Sequence, residues 1–444
     1  MSSETVETVY GLMPRQLSCA SLKDLCVDAG IQTGPFGSQL HQEDYVQFGT
    51  PIITVEHLGE NRIVHTNLPQ VSDEDKARLS KYVLKTGDIV FSRVGSVDRR
   101  ALVQPAEDGW LFSGRCLRVR PNPDRLDAQW LSYFFGLPAF KNYIRGIAVG
   151  ATMPSLNTKI LSDVPVYFPD LSTQKAAAEV LAKIDDRITL LRETNTTLEA
   201  IAQALFKSWF VDFDPVHAKM QGRAPEGMDE ATAALFPDSI EESELGSVPK
   251  GWRVGNLNVL AELNPESWSA KRHPERVLYV DLANTKAGQI DEYIEFSFED
   301  APSRARRVLR CGDVIVGTVR PGNRSFARIA SDVTGLTGST GFAVLRARKV
   351  IDQALVFIAA TNDEAIDRLS HLADGGAYPA VRPEVVGSTP LVVATEEIRN
   401  SFGDIANTLF ASIGANQERM TQLASLRDTL LPRLISGQID LNTL

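Results

Sequence analysis

Apolar residues fall into two rhythms along this chain. One consists of short runs bounded by turn residues, at 51–55, 88–91 and 116–119, and again at 278–280, 314–316 and 342–345. Gly-Asp and Pro-Gly pairs punctuate these runs, which predicts compact, turn-rich domains built largely of short strands. Short helices are expected to intervene around 128–143 and 353–369. The second rhythm is a sustained 4-3 spacing. It selects Ala177, Leu181, Ile184, Ile188, Leu191, Asn195 and onward to Trp209, then Phe402, Ala406, Leu409, Ile413, Asn416 and onward to Leu434. Heptad spacing with polar residues between predicts two long helices that pair with each other. At about 40 residues each would extend ~60 Å. Asp170 or Ser172 can cap the first, while Thr395 with Glu396 and Glu397 places acid at the positive end of the second.

The two rhythms occur twice, in the same order. Leu84-Lys-Thr-Gly-Asp-Ile-Val90 returns 225 positions later as Leu309-Arg-Cys-Gly-Asp-Val-Ile315. The same shift carries Gly150 onto Gly375, Pro154 onto Pro379 and Pro165 onto Pro390. Two long copies indicate a duplicated domain and not a short-repeat solenoid. The expected fold class is therefore α+β: two pseudo-symmetric mixed α/β domains joined by two long helices that pair as an antiparallel coiled coil. The predicted boundaries are 1–170 for the first domain, 171–212 for its helix, 213–250 for a crossover, 251–394 for the second domain, 395–436 for its helix and 437–444 for a tail. The crossover, with Pro215, Pro225, Pro237 and Pro249 among acidic residues, reads as extended and without chemistry.

Charge modifies this picture locally. The net charge of −10 over 444 residues argues against a polyanion partner when taken as a sum. Residues 304–349, however, carry ten Arg and Lys against Asp313 and Asp332, and the matching segment 85–145 carries ten against six acidic residues. A basic patch in each repeat is compatible with binding a polyanion at two places. The N-terminus has no basic start followed by an apolar run, and no stretch reaches the ~18 apolar residues of a membrane span. Cys19, Cys26, Cys116 and Cys311 lack C-x-x-C spacing and read as reduced, mostly buried thiols of a cytoplasmic protein. The six histidines show no metal-ligand spacing, so no metal site is expected. No Gly-x-x-x-x-Gly-Lys-Ser/Thr loop is present to cradle a phosphate. Asn264-Pro265-Glu266 is not the Asn-Pro-Pro-aromatic motif of adenine methylation, and Glu74-Asp75-Lys76 lies in a charged surface run.

The end of the first helix reads Ala204-Leu-Phe-Lys-Ser-Trp-Phe-Val-Asp-Phe-Asp-Pro-Val216. Later come Glu244-Leu-Gly-Ser-Val-Pro-Lys-Gly-Trp252 and Leu430-Leu-Pro-Arg-Leu-Ile-Ser-Gly437. With Gly34-Pro-Phe-Gly-Ser38 and Val164-Pro-Val-Tyr-Phe-Pro169, these segments resemble the specificity subunit of type I restriction-modification systems over nearly the whole chain. The resemblance implies two target-recognition domains, each reading one half of a bipartite, asymmetric site on double-stranded DNA. It implies that the helices set the gap between half-sites and dock two methyltransferase subunits, which recruit restriction subunits. It also implies no catalytic residues and no cofactor here: S-adenosylmethionine, ATP and magnesium belong to the partner subunits. A methylation-only or fused restriction system would use the same kind of chain, and a coiled-coil scaffold binding only proteins is the rival of another class.

Base edges in the major groove are read by Arg and Lys on guanine and by Asn and Gln on adenine. Loops flanking the Gly-Asp strands are the expected DNA-binding elements. In the first half they offer Ser38, Gln39, Arg93, Ser96, Arg99 and Arg100, with Lys141 and Arg145 on phosphates. In the second they offer Thr318, Arg320, Asn323, Arg324 and Arg328, with Thr337 and Ser339 nearby. Lys207, Trp209 and Phe210 are candidates for partner docking, since aromatic helix ends make good anchors.

Overall fold

The computed structural model describes residues 5–35, 39–150 and 152–439. The chain divides into two compact units, one comprising 1–189 and 421–444, the other 190–420. Each long helix, Leu171–Phe210 and Glu396–Ile435, contributes a part to each unit.

The first unit holds an antiparallel sheet in the order Cys26–Thr33, Cys116–Pro121, Ile89–Ser92, Arg100–Leu102. The second unit repeats that order with Ala261–Leu263, Phe342–Ala347, Val314–Gly317, Phe326–Arg328. A second four-stranded sheet in each unit contains one parallel pairing, Leu111 with Ile52 and Leu336 with Leu278. Two-stranded antiparallel ladders joining Ser18–Ser21 to Pro165–Phe168, and Arg253–Asn256 to Pro390–Val393, tie the start of each globular part to the strand preceding its long helix. The duplication seen in the sequence is thus a duplication of topology.

The Gly-Asp signature builds the same turn twice. Gly87 and Gly312 take left-handed backbone angles (φ 88° and 86°) that cost a β-carbon-bearing residue energy. The aspartates that follow are buried. Asp88 accepts the Lys85 backbone N–H at 2.8 Å and two Arg120 N–H groups at 2.6 Å each. Asp313 accepts Arg310 N–H at 2.8 Å and two N–H groups of Arg346 at 2.8 Å each. The motif is therefore structural: it closes a turn and neutralises an arginine on the neighbouring strand.

Asp170 is the cap of the first long helix, its carboxylate accepting Thr173 N–H at 3.0 Å and Thr173 Oγ1–H at 2.7 Å. These hydrogen bonds, with one from Ser172, hold its carboxyl far below the usual carboxylate range. Each helix start is also locked to its own domain. Asp127 N–H donates to buried Gln174 Oε1 at 2.9 Å, and at the equivalent position Arg399 donates to Asp352 at 2.6 Å.

Helix pairing is antiparallel within each unit. Ala177 and Leu181 share a core with Leu431, Leu434 and Ile435 in the first. Ala202, Phe206 and Trp209 share one with Ile398, Phe402 and Ala406 in the second. Asn416 Nδ2 donates to Asn195 Oδ1 at 2.8 Å, and Asn195 Nδ2 donates to the Ile413 carbonyl at 3.2 Å. The asparagines therefore lie in the seam and bond across it.

Three expectations change. The crossover is not extended: it forms helices Asp214–Met220 and Glu230–Leu235 and a hairpin of Ile240–Ser243 with Gly246–Pro249. Pro215 sits in the first turn of a helix, where its missing N–H is not needed. Cys19 and Cys311 are exposed, so only half the thiols are shielded. Trp209 and Phe210 are buried rather than offered to a partner. Trp209 meets Phe236 edge-on at 5.1 Å, and Phe210 meets Phe402 edge-on at 5.0 Å. Apolar rings at a helix end are covered because the crossover folds back over them. Lys207 remains exposed and pairs with Asp212. No helix among the described residues is long and apolar enough to cross a membrane.

Candidate nucleic-acid interface

Two loops meet at the end of the main sheet in each unit. In the first unit the loop after Ile89–Ser92 is bridged to the segment 149–156. Gly95 N–H donates to the Pro154 carbonyl at 2.8 Å, Leu156 N–H to Arg93 at 2.8 Å, and Val149 and Ser155 exchange both backbone bonds at 3.0 and 2.8 Å. The second unit repeats each bond. Arg320 N–H donates to Pro379 at 2.7 Å, Val381 N–H to Thr318 at 2.9 Å, and Asp374 and Ala380 exchange theirs at 3.1 and 2.9 Å. Every partner lies 225 positions from its counterpart. The result is a backbone-clamped double loop in each unit.

Within this frame the side chains differ. The left-handed position filled by Gly95 (φ 76°) in the first unit is filled by Arg320 (φ 48°) in the second. Arg324, one short 3-10 turn later, is also left-handed (φ 59°). Non-glycine residues held there cost of order 1 kcal/mol each, and such strain gathers at functional positions. The Arg320 guanidinium donates to the Ala377 carbonyl at 2.7 Å and stacks on the Tyr378 ring, 4.5 Å from its centroid. Arg324 pairs with Asp363 at 2.6 Å, and Asn323 is exposed between them. In the first unit Ser96 is exposed, Arg93 donates to the Gly114 carbonyl at 3.0 Å, and Arg99 donates to the Leu58 carbonyl.

Several sequence candidates lie elsewhere. Ser38 falls outside the described residues, and the Gln39 side chain accepts the Tyr82 hydroxyl at 2.6 Å. Arg100 is only 4% exposed, which removes it from direct contact with a base. It lines a cleft of about 340 Å³ with Glu60, Tyr133, Lys141, Asp185 and Arg427. There Arg100 and Lys141 pair with Glu60 at 3.7 and 3.4 Å, and Arg427 pairs with Asp185 at 3.0 Å. Burial pushes the Glu60 carboxyl up, but Lys141, Arg100 and Arg427 outweigh it and hold it below its ordinary value. Arg145 stays on the surface, paired with Asp98 at 2.6 Å.

In the second unit Thr318, Thr337 and Ser339 point inward. Thr318 donates to the Gly341 carbonyl at 2.8 Å, Thr337 accepts the Trp268 indole N–H at 2.8 Å, and Ser339 accepts the Gly341 N–H at 3.1 Å. Arg328 turns toward the helices, donating to Gln353 at 3.1 Å and lying 5.8 Å from the Phe410 ring. Most of the basic segment 304–349 is likewise neutralised. Arg310 and Arg346 meet Glu266, Arg348 meets Glu262, and Lys349 meets Glu396. Those acids lie far from the arginines in sequence, so a local charge count overstates the patch.

The double loops also present residues that charge does not mark. Met153 and Tyr378, at matching positions, are 65% and 71% exposed. Their signal was the repeat of Gly150 and Pro154 at Gly375 and Pro379, which frames a loop with a bulky residue at its tip. Among the described residues no group of three or more metal-ligating side chains gathers.

Residues 21–200 match the model of the type I restriction modification DNA specificity domain. The chain is similar to the MjaIX type I restriction enzyme specificity subunit of Methanocaldococcus jannaschii, 22% identical over 443 residues that cover 98% of this chain and 96% of that protein. It is 23% identical over 432 residues to the HindI type I specificity subunit of Haemophilus influenzae, covering 85% of this chain and 92% of that one. The crystal structure of the type I restriction-modification S subunit from M. genitalium shares its fold, with a TM-score of 0.54 at 14% identity over 94% of this chain and 96% of that one. Along nearly its full length the chain is similar to type I restriction-modification specificity subunits, and its fold is that of a solved S subunit.

Proposed function

We propose that this chain reads DNA sequence for a type I restriction-modification complex in the cytoplasm and performs no catalysis itself. Each unit addresses one half of a bipartite asymmetric site through its double loop. The paired helices set the gap, and the helices with adjoining surfaces dock two methyltransferase subunits, to which restriction subunits attach. S-adenosylmethionine, ATP and magnesium act on those partners. The observation that carries the reading is the shared loop frame with divergent side chains, above all an arginine in the left-handed position that glycine fills in the other copy. Phosphate contacts would position each unit, and the loop side chains would specify bases.

Arg320→Gly tests this without confounding it with folding. Glycine relieves the left-handed backbone, so stability should hold or rise by up to about 1 kcal/mol. Methylation mapping with the cognate methyltransferase subunit should show one half-site relaxed or lost and the other retained. Two unaffected half-sites would refute the role given to Arg320.

A further inference from the structure

A single exposed apolar side chain is ordinary and needs no explanation. Met153 and Tyr378 are not single. They occupy the same position of a loop built twice, 225 residues apart, with the same backbone bonds fastening it to the arginine-bearing loop beside it. Gly150 (φ 111°) and Gly375 (φ 115°) make the same left-handed entry to each loop, and Pro154 and Pro379 close it. The reading side chains diverge between units, yet a large, solvent-facing, largely apolar tip is kept in both. An element kept in both copies serves something common to both half-sites, and what two different half-sites share is the duplex itself.

The geometry points to Met153 and Tyr378 as a matched pair of DNA contacts, one per half-site, that bind by apolar or stacking contact without reading sequence. This rests on the DNA-reading function proposed above. Its chemistry follows from the neighbours. Tyr378 carries the Arg320 guanidinium on one ring face at 4.5 Å, so the cation that would meet the duplex and the ring arrive together. Met153 stands beside the loop of Arg93, Ser96 and Arg99. Apolar side chains set among basic ones are how proteins press against base steps or sugars while cations hold the phosphates.

The test uses the complex of this chain with its cognate methyltransferase subunit, titrated against a duplex carrying the mapped motif over a range of salt. Tyr378→Ala should weaken binding roughly tenfold, the scale of one lost aromatic–base contact. The slope of log affinity against log salt should stay unchanged, because no phosphate contact is lost. Tyr378→Phe should keep wild-type affinity, Met153→Ala should lose several-fold, and the methylated motif should be the same in all three. Wild-type affinity for Tyr378→Ala would overturn the inference. So would relaxation of one half-site of the methylated motif, which would mean the ring only holds Arg320 in place to read its base. Failure of Tyr378→Ala to assemble with the methyltransferase subunit, seen by size-exclusion chromatography, would assign the tips to protein docking and overturn it as well. A wild-type complex with no chain-dependent gapped motif would remove the underlying function together with this inference. A motif that is present but indifferent to both tips would remove the inference alone.

Discussion

The buried Asp88–Arg120 pair offers the sharpest test of how the repeat motif works. Asp88 is 1% exposed and accepts three N–H groups, two from Arg120 and one from the Lys85 backbone. Asp88→Ala leaves the Arg120 guanidinium with the Val83 carbonyl at 3.2 Å and partial access to water. Removing one partner of a buried pair costs about 3–5 kcal/mol, because the other charge stays desolvated. The open Lys85 N–H adds about 1 kcal/mol, and Arg120's residual exposure subtracts a similar amount. A net loss near 4 kcal/mol in a unit of this size lowers the midpoint by roughly 8–16 °C. Differential scanning calorimetry of the full chain reads this directly. Asp88→Ala with Arg120→Met should recover most of the loss, since an apolar replacement of a whole pair is close to neutral. The matching Asp313→Ala should cost less, because Arg346 keeps Glu266. A loss under about 1 kcal/mol for Asp88→Ala, or a double variant as unstable as the sum of the singles, would refute the argument that the motif serves the fold through this pair.

Three further outcomes are expected. Asn416→Leu strands the Asn195 amide in the seam and should cost about 1–3 kcal/mol in urea unfolding, whereas changing both asparagines to leucine should restore or exceed wild-type stability; a double change that costs the sum of the two single changes would show that the pair is not coupled. Deleting residues 187–193 together with 417–423 preserves the heptad and shortens each helix by about 10.5 Å, so the mapped gap should shrink by about three base pairs; an unchanged gap would count against the helices as the ruler. Glu60, held below its ordinary value by its cationic neighbours, adds stability that is full above the unfolded carboxylate value of about 4.3 and lost as pH falls through its lower folded value. Melting temperature against pH should therefore show a shallower acid limb in Glu60→Gln, and parallel curves would contradict that.

The duplication, the α+β class, both long helices and the antiparallel seam were legible because each is written in local terms. Apolar spacing declares a helix face, and Gly-Asp declares a left-handed turn wherever it stands. The cap at Asp170 and the seam asparagines follow from the same short-range rules. The reading surface was legible only as a neighbourhood: the loops beside the Gly-Asp strands include Arg320, Asn323 and Arg324, but the same spacing also selects Arg100, Arg328, Thr337 and Ser339, which face inward.

Tertiary structure alone separates those two groups. An arginine's role depends on whether a carboxylate reaches it, and Glu60, Glu266 and Asp352 arrive from segments 40 to 80 residues away. A strand threonine faces core or solvent according to pairing register, and a one-residue slip would exchange the two. Trp209 becomes core because Phe236 of the crossover meets it, and Phe210 because Phe402 of the other long helix and Trp252 do. Met153 and Tyr378 become a matched pair only when backbone bonds fasten both loops in the same frame. The sequence by itself determined the repeats and their elements, since those depend on neighbours along the chain; which side chains reach solvent depends on neighbours in space, and that was decided by the packing of segments far apart in the sequence.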